Sequence, residues 1–171
     1  MIARLHFATT LFLSFIIFYH ILSYNFLDSI FLSIITSLLS TLPDMDYKIS
    51  KNIENQIKFL KSTKLNIILF PYYLFIKFLY IIFKHRGFTH SIYPIIIFLL
   101  LSENIIFFIL FLSFSLHIIE DSLTVSGIKP FYPFGPTIAL KILNNKERKI
   151  QDFLSYIILF TFIIYLTYII S

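Results

Sequence analysis

Apolar stretches at about residues 7–23, 26–42, 91–102, 105–119 and 153–170 limit what this chain can become more than any other feature. A helix crosses a hydrocarbon core of about 30 Å with about 20 apolar residues, and several of these runs approach that length. Hydrophobic residues make up 58% of the 171 positions and charged ones only 13%. A soluble fold of this size has no interior large enough to hide so much apolar surface. The expected fold is therefore all-α: a polytopic membrane helical bundle with about five spans plus an interfacial amphipathic helical segment. It forms a single integral-membrane domain over residues 1–171. The run at 91–102 is short, since eleven residues of helix reach only about 16 Å.

Charge sets the expected orientation. Arg4 before an apolar run resembles a signal peptide, but the run is long and no small-x-small cleavage pattern follows, so it reads as a retained helix. Residues 47–64 carry Lys48, Lys51, Lys58, Lys61 and Lys64, while Ile49, Ile53, Ile57 and Leu60 share one helical face. That pattern suits a helix lying on a membrane surface. Residues 66–83 are apolar enough for a span, yet they contain Pro71 and Lys77. If residues 47–84 are interfacial or re-entrant, all fourteen Lys and Arg fall on one side, together with the N-terminus. The positive-inside rule makes that side cytoplasmic. The net charge of +5 then faces the lipid bilayer, and no nucleic-acid partner is expected.

Within this apolar background three polar blocks stand out. The first is Leu42-Pro43-Asp44-Met45-Asp46, where Pro43 ends a helix and two carboxylates need a cation or a hydrogen-bond network between them. The second is His85-Arg86-Gly87-Phe88-Thr89-His90-Ser91, with two imidazoles that can turn toward one centre across a glycine. The third pairs His117 with Asp121 at i and i+4, on one helix face, with Glu120 between them. His6 lies at the same end of the first helix, whereas His20 lies at its far end and reads as structural. With no cysteine in the chain, thiolate sites are excluded. His6, Asp44, His85, His90, His117 and Asp121 are the candidate ligands for one or two divalent ions, zinc or manganese. Asp46 is either a further ligand or a general base, and Glu120 is the other candidate base. Arg86 and Thr89 suit an anionic group on a substrate. The aromatic loop from 125 to 136 either caps such a site or rests on lipid headgroups.

These three blocks, with His6, resemble the membrane-bound, metal-dependent hydrolase family that includes the LexA-regulated inner-membrane hydrolases. The third block is shared as far as Leu123, Thr124 and Gly127, and the resemblance covers roughly residues 1–136. It implies a multi-pass protein with metal-dependent hydrolase activity. Tyr47 stands where that family often has a histidine, so position 47 is not counted as a ligand. A lipid or lipid-linked phosphoester is the expected substrate class. The rival functions are metal or proton transport, and a non-catalytic scaffold tied by a structural metal. Transport needs polar residues through the whole bilayer depth, and the far half offers only His20 with scattered Ser and Thr.

Overall fold

The computed structural model describes residues 1–84, 86–144 and 146–171, and over these it is a helical bundle. Helix α1 (Ala3–Ile16) starts earlier than its apolar run and continues through a π-helical turn at Ile17–Ile21. Helix α2 (Phe26–Leu39) is capped by Asn25, whose side chain accepts from Asp28 N at 2.8 Å. A 3₁₀ turn at Pro43–Met45 leads into α3 (Asp46–Ser62), the short α4 (Leu65–Ile68) and α5 (Phe70–Phe83). A second 3₁₀ turn, Phe88–His90, precedes α6 (Ile92–Leu100), whose N-cap is Ser91. Then come α7 (Ile105–Ser122), a long irregular connection and α8 (Arg148–Ile170).

Four helical stretches among the described residues are long and apolar enough to cross a membrane: Ala3–Ile21, Phe26–Ser62, Ile105–Ser122 and Arg148–Ile170. The run expected to span at 91–102 forms the nine-residue α6. At 1.5 Å per residue that is about 14 Å, well short of the hydrocarbon core. Helix α5 has fourteen residues, about 21 Å, and also falls short.

Helix α2 explains how the bundle closes. Ser29, Ser33, Thr36, Ser37 and Ser40 are all fully buried, at spacings that keep them on one face. Lipid tails are as apolar as leucine, so membrane helices associate through close packing and interhelical hydrogen bonds rather than water release. Small hydroxyl residues let the helix axes approach, and each is satisfied locally, as Ser33 donates to Ile30 O and Thr36 to Leu32 O, both at 2.8 Å. Ser113 of α7 adds a cross-helix bond to Thr36 O at 2.9 Å. Phe18, Ile109, Leu112 and Leu116 fill the space between α1, α2 and α7, while Phe15 and Phe162 join α1 to α8.

Helices α3 and α5 form a hairpin of their own, packed through Ile53, Leu60, Tyr73 and Ile76. Its two ends meet again: Arg86 N donates to the Asp46 carboxylate at 3.1 Å. Residues 47–84 therefore leave and rejoin the same end of the bundle. The starts of α1, α6 and α8 and the ends of α2 and α7 gather at that end too: Ile2 N donates to Gln151 Oε1 at 2.9 Å, the Met1 amino group to Asp121 at 2.7 Å, Arg86 stands 3.3 Å from Asp121, and His90 lies 3.5 Å from Asp44.

The connection after α7 is the aromatic loop. It has no strand among its described residues, but isolated bridges pair Thr124 with Leu143 and Ile128 with Ile138. Gly127 has φ +60°, and a Cβ there would sit 2.3 Å from Ile138 O. Only glycine fits so close an approach in the left-handed region.

Candidate metal centre

The polar blocks converge because each marks the end of an element. Pro43 turns the chain at the end of α2 and aims Asp44 inward. Gly87 allows Gly87 N to reach Lys84 O at 2.6 Å, where a Cβ would collide with that oxygen. The tight turn then carries Thr89 and His90 into the bundle. His117 and Asp121 come from the last turns of α7, both fully buried.

Asp44, His90, His117 and Asp121 each bring one ligand atom into a set whose members all lie within 4.8 Å of one another. His90 Nε2 lies 3.2 Å from His117 Nε2. Asp44 Oδ1 is 3.5 Å from the first and 3.7 Å from the second, and Asp121 Oδ2 is 3.7 Å and 4.0 Å away. Tetrahedral coordination at about 2.0–2.1 Å puts ligand atoms roughly 3.3 Å apart, so a slight contraction would seat a divalent ion. Two nitrogens and two carboxylate oxygens suit zinc or manganese. The Asp121 Oδ2 atom is buried and accepts no hydrogen bond from the described residues, although Arg86 Nη2 stands 3.3 Å away. These donors fit a cation in chemistry as well as spacing. The Asp44 side chain is 30% exposed and the other three are 0%, so the cluster opens to its surroundings at Asp44.

A second layer orients the first. His90 Nδ1 lies 3.0 Å from Asp46 Oδ2, the same oxygen that accepts from Thr89 Oγ1 at 2.8 Å and from Arg86 N. With Nδ1–H held by Asp46, Nε2 is the nitrogen that faces the cluster. Burial disfavours a charged imidazole at His90, but the Asp44 and Asp46 carboxylates outweigh it and push it up to about 9. Arg86 has φ +57°, a strained conformation for a residue with a side chain, and it is pinned at three points. Its amide reaches Asp46, Nη2 reaches Asp121, and Nη1 donates to Gly127 O at 2.5 Å. Thr124 donates to Asp121 O at 2.8 Å and accepts from Gly127 N at 3.3 Å, so the loop after α7 is tied to the site rather than free of it.

His6, expected as a ligand, lies beside the four-atom cluster instead. Its ring stacks on His117 with centroids 4.1 Å apart. Nδ1 bonds Glu120, and Nε2 is 3.4 Å from Asp121 Oδ1, which also takes the Met1 amino nitrogen at 2.7 Å. Glu120, expected as a base, is held by His6, Thr9 and Thr10. Asp46 stands behind His90 and is not one of the four donors. His85 lies outside the described residues. His20 bonds Tyr165 at the other end of α1, far along the chain from every member of the cluster. Sequence reasoning missed Thr9 and Thr10 as supporting groups, and named Gly127 only as part of the third block. Hydroxyls one turn beyond His6 were the available signal for the first two.

The fold and the site together define a polytopic helical membrane protein with a buried His/Asp cluster at one end of its bundle. The chain belongs to the YdjM inner membrane protein family, whose model matches residues 1–171. Comparison with curated proteins and with solved structures finds no match.

Proposed function

We propose that this protein is a membrane-embedded, metal-dependent hydrolase acting at headgroup depth on a lipid or lipid-linked phosphoester. Asp44, His90, His117 and Asp121 would hold one divalent ion, zinc or manganese, on the cytoplasmic face. The observation that carries the reading is the four-donor cluster, closed on three sides and open at Asp44. A divalent ion bound there supplies electrophilic polarisation and a more acidic water. In this reading Asp46 and Glu120 are positioning residues: Asp46 fixes the His90 ring, and Glu120 fixes His6 against His117 and Asp121. Arg86 holds Asp121 and offers charge to an anionic substrate.

One observation favours a second reading. Four protein donors already fill a tetrahedral shell, as in structural sites, whereas catalytic zinc keeps a position for water. Transport has weaker support. Ser14, Ser33, Thr36, Ser37 and Ser113 are buried along the bundle, but each hydroxyl is bonded to a backbone carbonyl of its own helix.

The test is a hydrolysis screen of phosphoester and carboxylester lipids in nanodiscs, with and without chelator. Turnover that disappears with chelator, returns with zinc or manganese and is absent in His117→Ala supports the hydrolase. Metal-loaded, folded protein with no turnover on either class would favour the scaffold.

A further inference from the structure

Beside the cluster lies a cavity of about 160 Å³ whose wall includes Lys84, Arg86, Ser126, Lys129, Tyr132 and Thr137. Three of these side chains are cations, and no carboxylate is among the described residues that line it. Cations gathered around one concavity repel one another unless an anion sits between them, and a concave wall concentrates their field. The cavity is small. At roughly 30 Å³ per water it holds about five waters, enough for a tetrahedral oxyanion with its hydration. It is well below the 300–1,000 Å³ typical of sites that enclose a whole drug-sized ligand, so it matches a phosphate group rather than an entire substrate.

Its position links it to the cluster. The Arg86 guanidinium forms part of the cavity wall and also stands 3.3 Å from Asp121 Oδ2. The opposite wall is the loop after α7, whose Gly127 carbonyl accepts from Arg86 Nη1. The loop is fastened in place, since Ile128 exchanges backbone hydrogen bonds with Ile138 at 2.8 and 2.9 Å and Pro130 O accepts from Ile92 N at 2.9 Å. The strained φ of Arg86 is thus maintained by contacts on both sides, as expected where a side chain must be presented in one orientation. Lys84 and Lys129 are exposed on flexible stems and can close on a bound anion.

We propose that this cavity is a phosphate subsite: it binds the phosphate group of the substrate and places the adjoining ester against the cluster through the shared Arg86. This rests on the hydrolase reading for its role in turnover, but the binding itself does not depend on it. The phosphate could belong to a lipid headgroup or to a free phosphate compound, and the chemistry of recognition is the same.

The experiment is calorimetric titration of the full-length protein in detergent, with chelator present so that phosphate cannot bind through a metal. The ligands are inorganic phosphate and dihexanoyl phosphatidic acid. The variants are Lys84→Gln/Lys129→Gln, the charge-retaining Lys84→Arg/Lys129→Arg, and Lys58→Gln/Lys61→Gln on α3 as a control for general surface charge. Phosphate binding should weaken at least about tenfold in the Gln pair and stay near native in the Arg pair and the α3 control. Tighter binding of the phosphatidic acid than of inorganic phosphate assigns a lipid headgroup, and equal binding assigns a free phosphate compound. Equal affinity in native protein and the Gln pair, or no binding of either ligand to native protein, overturns the subsite. Charge-dependent phosphate binding without turnover leaves the subsite standing and sinks the hydrolase. Turnover of a phosphoester unaffected by the Gln pair does the reverse.

Discussion

Replacing Asp46 with asparagine separates a positioning carboxylate from a catalytic base. Asp46 is 1% exposed, and its Oδ2 receives Thr89 Oγ1 at 2.8 Å, His90 Nδ1 at 3.0 Å and Arg86 N at 3.1 Å. Asparagine keeps the shape and one acceptor but removes the charge that fixes the His90 ring with Nδ1 protonated. Outer-layer partners of metal-binding histidines typically govern affinity by 10–100-fold, about 1.4–2.7 kcal/mol. Asp46→Asn should therefore weaken zinc affinity by about that factor. It should also lower stability, because hydrogen bonds to a buried charged group contribute about 1.5–3 kcal/mol each. The assay is competitive zinc titration against a chromophoric chelator, alongside thermal unfolding in the same detergent. Native affinity and native stability in Asp46→Asn, with turnover alone abolished, would refute the positioning role and restore Asp46 as a base.

Three further outcomes follow from the same geometry. His117→Ala should lose most of its bound metal, because one of few donors is gone, whereas His20→Ala at the other end of α1 should keep it, as elemental analysis of both proteins would reveal. Ser33→Leu puts a larger side chain into the fully buried face of α2 and should destabilise the bundle by about 1–3 kcal/mol, read as a lower unfolding midpoint in denaturant, while Leu27→Ser on an exposed face should change little. Accessibility tags in residues 52–64 and 146–148 should report the cytoplasm and a tag after Ser171 the opposite side; cytoplasmic labelling at both ends of α8 would contradict the orientation.

How much of this was legible in the sequence differs by element. Apolar runs fix the existence of α1, α2, α7 and α8, since each must either be buried or face lipid. They do not fix the path of residues 66–83, where hydropathy by itself implies a crossing. The expectation that all basic residues share one side argues for a return, and the contact between Arg86 and Asp46 brings the two ends of this segment together. The convergence of Asp44, His90, His117 and Asp121 was readable because these side chains are expensive in an apolar chain and all sit at element ends. Their division of labour was not. Asp44 lies in a 3₁₀ turn and Asp46 two residues on starts α3, and spacing does not say which faces the cluster and which faces the His90 ring. His6 and His117 look alike in sequence, and only the packing of α1 on α7 sets one ring on the other. The serines of α2, spaced four apart at Ser29, Ser33 and Ser37, carried a packing signal that hydropathy averages away.

The most direct test of the central claim is the metal content of the purified protein, with the ligand set read by X-ray absorption. Asp44, His90, His117 and Asp121 predict about one equivalent of a divalent ion bound by two imidazoles and carboxylate oxygen, lost in His90→Ala and in Asp121→Asn. Folded native protein that carries no divalent metal and takes up none from added zinc or manganese would contradict it.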